Sequence, residues 1–198
     1  MIATSWQGST EVFRYGTRAD IAKIAAMLTD PEVGRWLWFT PAPAEMFESF
    51  FAPFIEAQDQ DLTVGKVPQT AVFVVENDAG EFLGQGAVIA VQGSPGGFEI
   101  GFQLPKKSWG RGVGTRLSEF LCAYAIHQCA AFRIEGACLE GNAGSRAILA
   151  KLGLALEGTR PDYRSKEGTR HAECLYGAPV SALDTSRFER FASQLGLR

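Results

Sequence analysis

The residues best placed for chemistry lie in one stretch. "SWGRGVGTRL", residues 108–117, sets Gly110, Gly112 and Gly114 around Arg111, just ahead of a helical pattern. Glycine lets a backbone bend and approach a ligand with no Cβ in the way. The pattern that follows repeats Leu117, Phe120, Leu121 and Tyr124 at helical spacing. Such a helix starts with orphan N–H groups at the positive end of its dipole, and turn and helix together suit an anion, a phosphate above all. Lys106, Lys107, Arg111 and Arg116 add positive charge, with no acid between residues 104 and 118. A tight turn flanked by solvated lysines is the other reading, and the turn alone leaves both open.

Two familiar phosphate motifs fail on spacing. A P-loop needs G-x-x-x-x-G-K-[ST], which the chain lacks. A dinucleotide fingerprint needs G-x-G-x-x-G, but counting from Gly110 the last position is Thr115, and from Gly112 it is Leu117.

The elements that must position this turn can be read from hydrophobic period. Residues 11–16 read as a strand. "TRADIAKIAAML" reads as a helix with Ile21, Ile24, Ala25 and Leu28 on one face. Residues 30–69 read as irregular, with an apolar stripe at Phe47, Phe50, Phe51 and Phe54 that Pro53 should kink or split. "TAVFVVEN", "EFLGQGAVIAVQ" and "FEIGFQLP" form an antiparallel meander, turned at Asp78-Ala79-Gly80 and at "QGSPGG" and ended by Pro105. A Rossmann unit would not place its turn after such a meander. After the glycine turn and its helix come a strand at "AFRIEGACLE" and a short helix at "NAGSRAILAKLG", with Asn142 as candidate N-cap. "LALEG" and "RHAECLYGAPV" read as two strands, and "TSRFERFASQLG" as a closing helix showing Phe188, Phe191 and Leu195. The expected fold class is α+β, a mixed domain spanning residues 1–198, with its core over 11–180 and a C-terminal helix over 181–198.

Composition narrows the function classes. Of 198 residues, 46% are hydrophobic and 21% charged, as in a globular enzyme, and the net charge is −3. That balance argues against nucleic acid as a partner. Apolar runs such as "AVFVV" are too short to cross a bilayer, and the N-terminus lacks the regions of a signal peptide, so a cytoplasmic protein with no membrane partner is expected. Cys122, Cys129, Cys138 and Cys174 form no CxxC pair and lack zinc spacing, so reduced thiols and no metal are expected.

Three segments, in order, resemble the GNAT acetyltransferases, and within them the RimJ/RimL-type branch, named for enzymes that acetylate ribosomal-protein N-termini. "TDPEVGRWLWFTP" is similar to the branch's D-P-E-V-x-R-Y/W-L. "FEIGFQLPKKSWGRGVGTRL" is similar to its strand and W-G-K/R-G turn, with Trp109 where the wider family has Gln or Arg. "EGNAGSRAILAKLGLALEG" is similar to N-x-x-S-x-x-x-L-x-K-L-G-F-x-x-E-G, with Leu154 in place of the usual phenylalanine.

The resemblance implies the GNAT fold, a mostly antiparallel sheet splayed open in its middle, and acetyl-CoA as co-substrate. It implies a cofactor site in which backbone N–H groups of Arg111, Gly112, Val113, Gly114 and Thr115 hold the pyrophosphate. Gln103 and Leu104 would hold the pantetheine arm, with Asn142 and Ser145 near the thioester. The chemistry implied is attack of a primary amine on the thioester, which needs a proton acceptor, because an α-amino group has a pKa of about 7.7–8.0. Glu99, on the strand leading to the turn, is the candidate base, and a hydrogen-bonded strand residue is its alternative. Ser145 is the candidate proton donor to the leaving thiolate, and a helix-start cap is its alternative. Tyr124 and Tyr163 are further candidate acids, although Tyr124 falls on the apolar helix face. Trp36, Trp38 and Phe39 are candidate acceptor-binding residues, beside seven acids between residues 30 and 61 that suit a cationic amine or form a solvated face. A silent acyl-CoA-binding module, acting as sensor or scaffold, keeps the same turn and stays open beside the enzyme reading. The aromatic C-terminal helix packs internally or, in a homodimer, against a second copy; both stay open.

Overall fold

A strand buried on both faces needs apolar residues at every position, and "AVFVV" supplies them. In a computed structural model, which describes residues 2–196, this run is the strand β3 (Ala71–Asn77), with Ala71 to Val75 all buried. Phe73 and Val75 face one core, and Val72 and Val74 the other.

Eight strands form one sheet. They are β1 (Ser5–Gln7), β2 (Glu11–Tyr15), β3, β4 (Phe82–Ala90), β5 (Gly97–Gln103), β6 (Arg133–Leu139), β7 (Ala155–Lys166) and β8 (Thr169–Pro179). Their order is β1-β2-β3-β4-β5-β6-β8-β7, antiparallel throughout except between β5 and β6. That parallel pair holds register only at Gly97↔Arg133, Phe98↔Ile134 and Glu99↔Glu135, so beyond Glu99 the two strands part. The expected splayed, mostly antiparallel α+β sheet is what the chain forms.

Helices cover both faces. α1 (Ile21–Leu28), α2 (Pro31–Gly34) and α3 (Ala44–Thr63) pack on one, burying Ile24, Phe47, Phe51 and Ile55 against Val72 and Val74. α4 (Val113–His127) and α6 (Ser186–Leu195) cover the other, with Phe120 stacked on Phe13 and Phe188 fully buried. Phe191 meets Phe13 edge-on, so the aromatic side of α6 is used within the chain. The side chain of Leu195 lies outside the described residues, as do positions 197 and 198 of the expected C-terminal helix. α5 (Ala143–Lys151) follows β6.

Four expectations change. The sheet starts at β1, before residue 11. Residues 30–69 are not irregular, because α2 and the twenty-residue α3 occupy most of them. α3 runs unbroken through Pro53, and its buried side is Phe47, Phe51, Ile55 and Gln58, while Phe50 and Phe54 lie outward. β7 does not stop after "LALEG" but continues to Lys166, with register shifts between Leu156 and Gly158 and between Arg160 and Arg164.

Candidate active site

The glycine turn joins β5 to α4, and each of its three glycines has its own reason. Gly110 and Gly112 have φ of +69° and +76°, in the left-handed region that favours glycine. Gly114 is helical, and its place is fixed by packing: a Cβ there would lie 2.9 Å from Ile148 Cδ1 and 3.0 Å from Leu104 Cδ1. Gly112 is the N-cap and offers no side-chain cap. Among the described residues no acceptor takes the N–H groups of Arg111, Gly112, Val113, Gly114 or Thr115.

The turn opens on a cleft of about 560 Å³. Its walls are Phe102, Gln103 and Leu104 at the end of β5, Asn142 to Ser145 with Ala147, Ile148 and Lys151 along α5, and Val33, Trp36 and Leu37 from the segment after α1. Its floor is Ser108 to Gly110 with Gly112, Gly114 and Thr115. Seven of the nine expected cofactor positions thus fall on one surface. Val113 and Arg111 do not line the cleft; the Val113 side chain is buried in the core and Arg111 is exposed.

Backbone directions along β5 follow from its neighbours. The Gly101 and Gln103 carbonyls lie 3.3 and 2.9 Å from where Cβ atoms on Gly86 and Gly84 would stand, so they face β4. The Ile100 carbonyl lies 3.5 Å from the corresponding point on Gly136, so it faces β6. Alternation then turns the backbone of Phe102, rather than that of Gln103, into the opening between the parting strands. Trp109 ties the turn to this strand end, its indole Nε1 donating to the Leu104 carbonyl at 2.8 Å. The sequence reading had no signal for Ser108, whose hydroxyl is buried at the floor without a protein partner.

The local excess of positive charge is mostly used within the fold. Lys106 pairs with Glu32, Lys107 with Glu81, and Arg116 with the buried Glu11. Only Arg111 of the four makes no ion pair among the described residues, although its charge acts on Glu81. Asn142 caps α5 by accepting from Ser145 N–H at 3.1 Å, so the cap does not use the Ser145 hydroxyl.

Glu99 stands at the last paired position before the strands part, opposite Glu135 on β6. It has no hydrogen bond or ion pair among the described residues, unlike Glu135, which accepts from Arg133 Nε at 2.7 Å. The Glu99 side chain is exposed on one face of the sheet. Desolvation raises its carboxyl above the usual range, and Glu135 and Glu173 raise it further against the opposing pull of Arg164.

The expected acceptor wall is rearranged. Trp36 lines the cleft, but Trp38 and Phe39 do not. Phe39 packs edge-on against Trp38 and Phe47, and Trp38 lies under the Arg164 guanidinium at 4.3 Å. None of the seven acids of residues 30–61 lines the cleft. Glu45 and Glu48 point to solvent, and Glu32, Glu56 and Asp61 pair with Lys106, Arg18 and Lys66. Tyr124 is fully buried, its hydroxyl donating to the Pro68 carbonyl at 2.9 Å, which rules it out as a group in the cleft. Tyr163 is half exposed on β7.

The β7–β8 hairpin contributes what the sequence reading missed. Lys166 Nζ donates to the Gly34 carbonyl, to the Leu37 carbonyl at 2.9 Å and to Thr40 Oγ1 at 3.2 Å. That ammonium holds the 34–40 segment, and with it Trp36, against the sheet.

A family model for the acetyltransferase (GNAT) domain matches residues 12–155. A curated relative, an uncharacterized N-acetyltransferase p20 of Bacillus licheniformis, is 27% identical over 146 residues, covering 71% of this chain and 76% of its own. Among solved structures, a ribosomal-protein-S5-alanine acetyltransferase from Vibrio fischeri aligns with a TM-score of 0.74 at 17% identity, over 89% of this chain and 97% of that one. Mycobacterium smegmatis RimJ in complex with CoA-disulfide aligns with a TM-score of 0.73 at 21% identity, over 92% and 88%.

Proposed function

Because the chain belongs to the GNAT acetyltransferase family, we propose that it is an acetyl-CoA-dependent N-acetyltransferase of the RimJ/RimL-type branch, moving an acetyl group to a primary amine. The observation that carries this reading is the wedge between β5 and β6, with unpaired N–H groups at its mouth; the unpaired Glu99 carboxylate stands at the last paired position before the wedge and does not itself line the cleft.

The cleft fits the co-substrate on three counts. Gly110 and Gly112 shape a cradle of free N–H donors for a pyrophosphate. The Ser108 hydroxyl lacks a partner at the floor. The Phe102 backbone offers a strand edge to which an amide-bearing arm can pair. Acetyl-CoA, when bound, supplies the thioester carbonyl that the amine attacks.

The chain's own residues then have distinct tasks. Gly112 to Thr115 N–H groups, Asn142 and the Phe102–Leu104 edge orient the co-substrate. Glu99 accepts the proton that the amine must lose, and its raised pKa brings it nearer the working pH of a base. Ser145, with its hydroxyl free of the cap, stands on the cleft wall where it can donate to the departing thiolate. Trp36 closes the acceptor side and helps exclude water.

The test pairs calorimetric binding of acetyl-CoA with thiol release in the presence of amines. Tight binding, thiol release, and a fall of more than tenfold in kcat for Glu99→Gln are expected. Binding without thiol release from any amine would leave the silent acyl-CoA module instead. Less than a threefold loss in Glu99→Gln would remove Glu99 from the mechanism.

A further inference from the structure

Two arginines share one buried carboxylate on the face of the sheet that carries Glu99. The side chain of Glu173, on β8, is 3% exposed, and two guanidiniums face it. Arg164 takes it closely, Nε at 2.7 Å and Nη2 at 2.6 Å from Oε1. Arg160 reaches it at 3.3 Å, and its side chain stays 47% exposed. One carboxylate cannot neutralise two arginines, so the charge of Arg160 remains available. No other acid among the described residues pairs with it.

That guanidinium is also held in place. It lies over the Tyr163 ring at 4.6 Å, and Arg164 sits 4.9 Å from the same ring and 4.3 Å from Trp38. The four side chains form a ladder that spans from β7 to the 34–40 segment. A planar, always charged fork fixed in this way suits a carboxylate, which it can meet with two parallel hydrogen bonds.

Register gives the span to Glu99. Arg160 pairs with Glu173, which pairs with Leu139, four residues beyond Glu135 on the same side of β6. Glu99 lies one strand further, on β5 beside Glu135; four residues advance about 13 Å along a strand, and β7 lies three strands from β5, about 14 Å across. A free α-amino acid carries its amine and carboxylate on one carbon and cannot bridge that span. An extended peptide can.

Resting on the N-acetyltransferase reading above, we propose that Arg160 is a specificity-determining residue that binds an acidic side chain in the first few residues of a peptide whose amino terminus is acetylated at Glu99. The acceptor class is thus a peptide or protein amino terminus with a carboxylate near it, in contrast to the cationic amine that the acids of residues 30–61 would suit as one of their two readings.

The experiment measures thiol release from acetyl-CoA with C-terminally amidated tetrapeptides that begin with Ala. Glu is compared with Gln at the second, third and fourth positions, and free glutamate is compared with free glutamine. The wild type is expected to favour Glu over Gln about tenfold in kcat/KM at one peptide position. Arg160→Gln should bring that ratio close to one, and Arg160→Lys, which keeps the charge without the fork, should restore part of it. Thermal melting of each variant checks that the fold is kept. Equal rates with Glu and Gln peptides overturn the proposal and leave acetyl transfer standing. A Glu preference that survives in Arg160→Gln overturns the assignment to Arg160. Release with free glutamate alone overturns the peptide span. Release with none of these probes overturns this acceptor class, and whether release then occurs with simple alkylamines decides if the acetyl-transfer reading fails with it.

Discussion

Substituting Gly114 by alanine moves a single methyl group into the junction of both cleft walls. The new Cβ would stand 2.9 Å from Ile148 Cδ1 on α5 and 3.0 Å from Leu104 Cδ1 at the end of β5, closer than carbon atoms pack. Overpacking of this kind costs about 1–3 kcal/mol, which for a chain of this size lowers Tm by about 2–12 °C. Ile148→Val removes the Cδ1 that Gly114→Ala strikes, and alone costs about 0.5–1.5 kcal/mol. Independent effects would add. Here the double variant relieves the contact with Ile148 while that with Leu104 Cδ1 at 3.0 Å remains, so it should cost less than the sum of the single losses, with a coupling of about 1 kcal/mol. Chemical denaturation of the four proteins gives the cycle, and calorimetry gives acetyl-CoA affinity, which should fall in Gly114→Ala and recover in the double variant. Additive losses, or a single variant with wild-type stability and affinity, would refute the packing account of this glycine.

Two further outcomes follow from other contacts. Glu99 has a raised carboxyl pKa in the folded state through desolvation and through Glu135 and Glu173. The folded protein therefore holds more protons than the unfolded one above the unfolded value of about 4.3, and stability falls as pH rises through the window up to the raised value. Glu99→Gln should melt higher than wild type at pH 8 and no differently at pH 4, and a difference independent of pH would contradict it. Lys166→Met should strip the donor from the Gly34 and Leu37 carbonyls and Thr40 Oγ1, costing about 1–3 kcal/mol. Faster amide exchange confined to residues 34–40, with a raised acceptor KM, is the expected signature; unchanged exchange there would contradict it.

The glycine turn, the meander and the Asn142 cap were legible because each is set locally, by backbone conformation or by a period of two or 3.6 residues. Seven of the nine cofactor positions that the family resemblance implied fall on one surface, because the resembling segments are the strand end, the helix start and the cap. What tertiary packing decides was less visible. Pro53 argues against a continuous helix, yet Phe47, Phe51 and Ile55 bury enough apolar surface against Val72 and Val74 to hold α3 together through it. The acids of residues 30–61 resembled an acceptor wall in composition, but composition does not say which side of α3 faces the cleft. The second half of β7, "RPDYRSK", has no apolar alternation and contains Pro161 and Asp162, so nothing in its period marks a strand. It is an edge strand held by its partner β8 and by ion pairs to Glu173, and those pairings lie outside any local window.

The single parallel pair in this sheet carries a topological consequence. Two parallel neighbours cannot be joined by a hairpin, so the chain must leave the sheet after β5 and return through a crossover, which here is α4. The crossover has to begin where β5 ends, and that places the start of a helix at the edge where the two strands diverge. Wedge and helix start are thus not two features that had to be brought together: one reversal of chain direction produces both. Substitutions in the turn can change what the opening holds, but the opening itself is a property of the chain's connectivity.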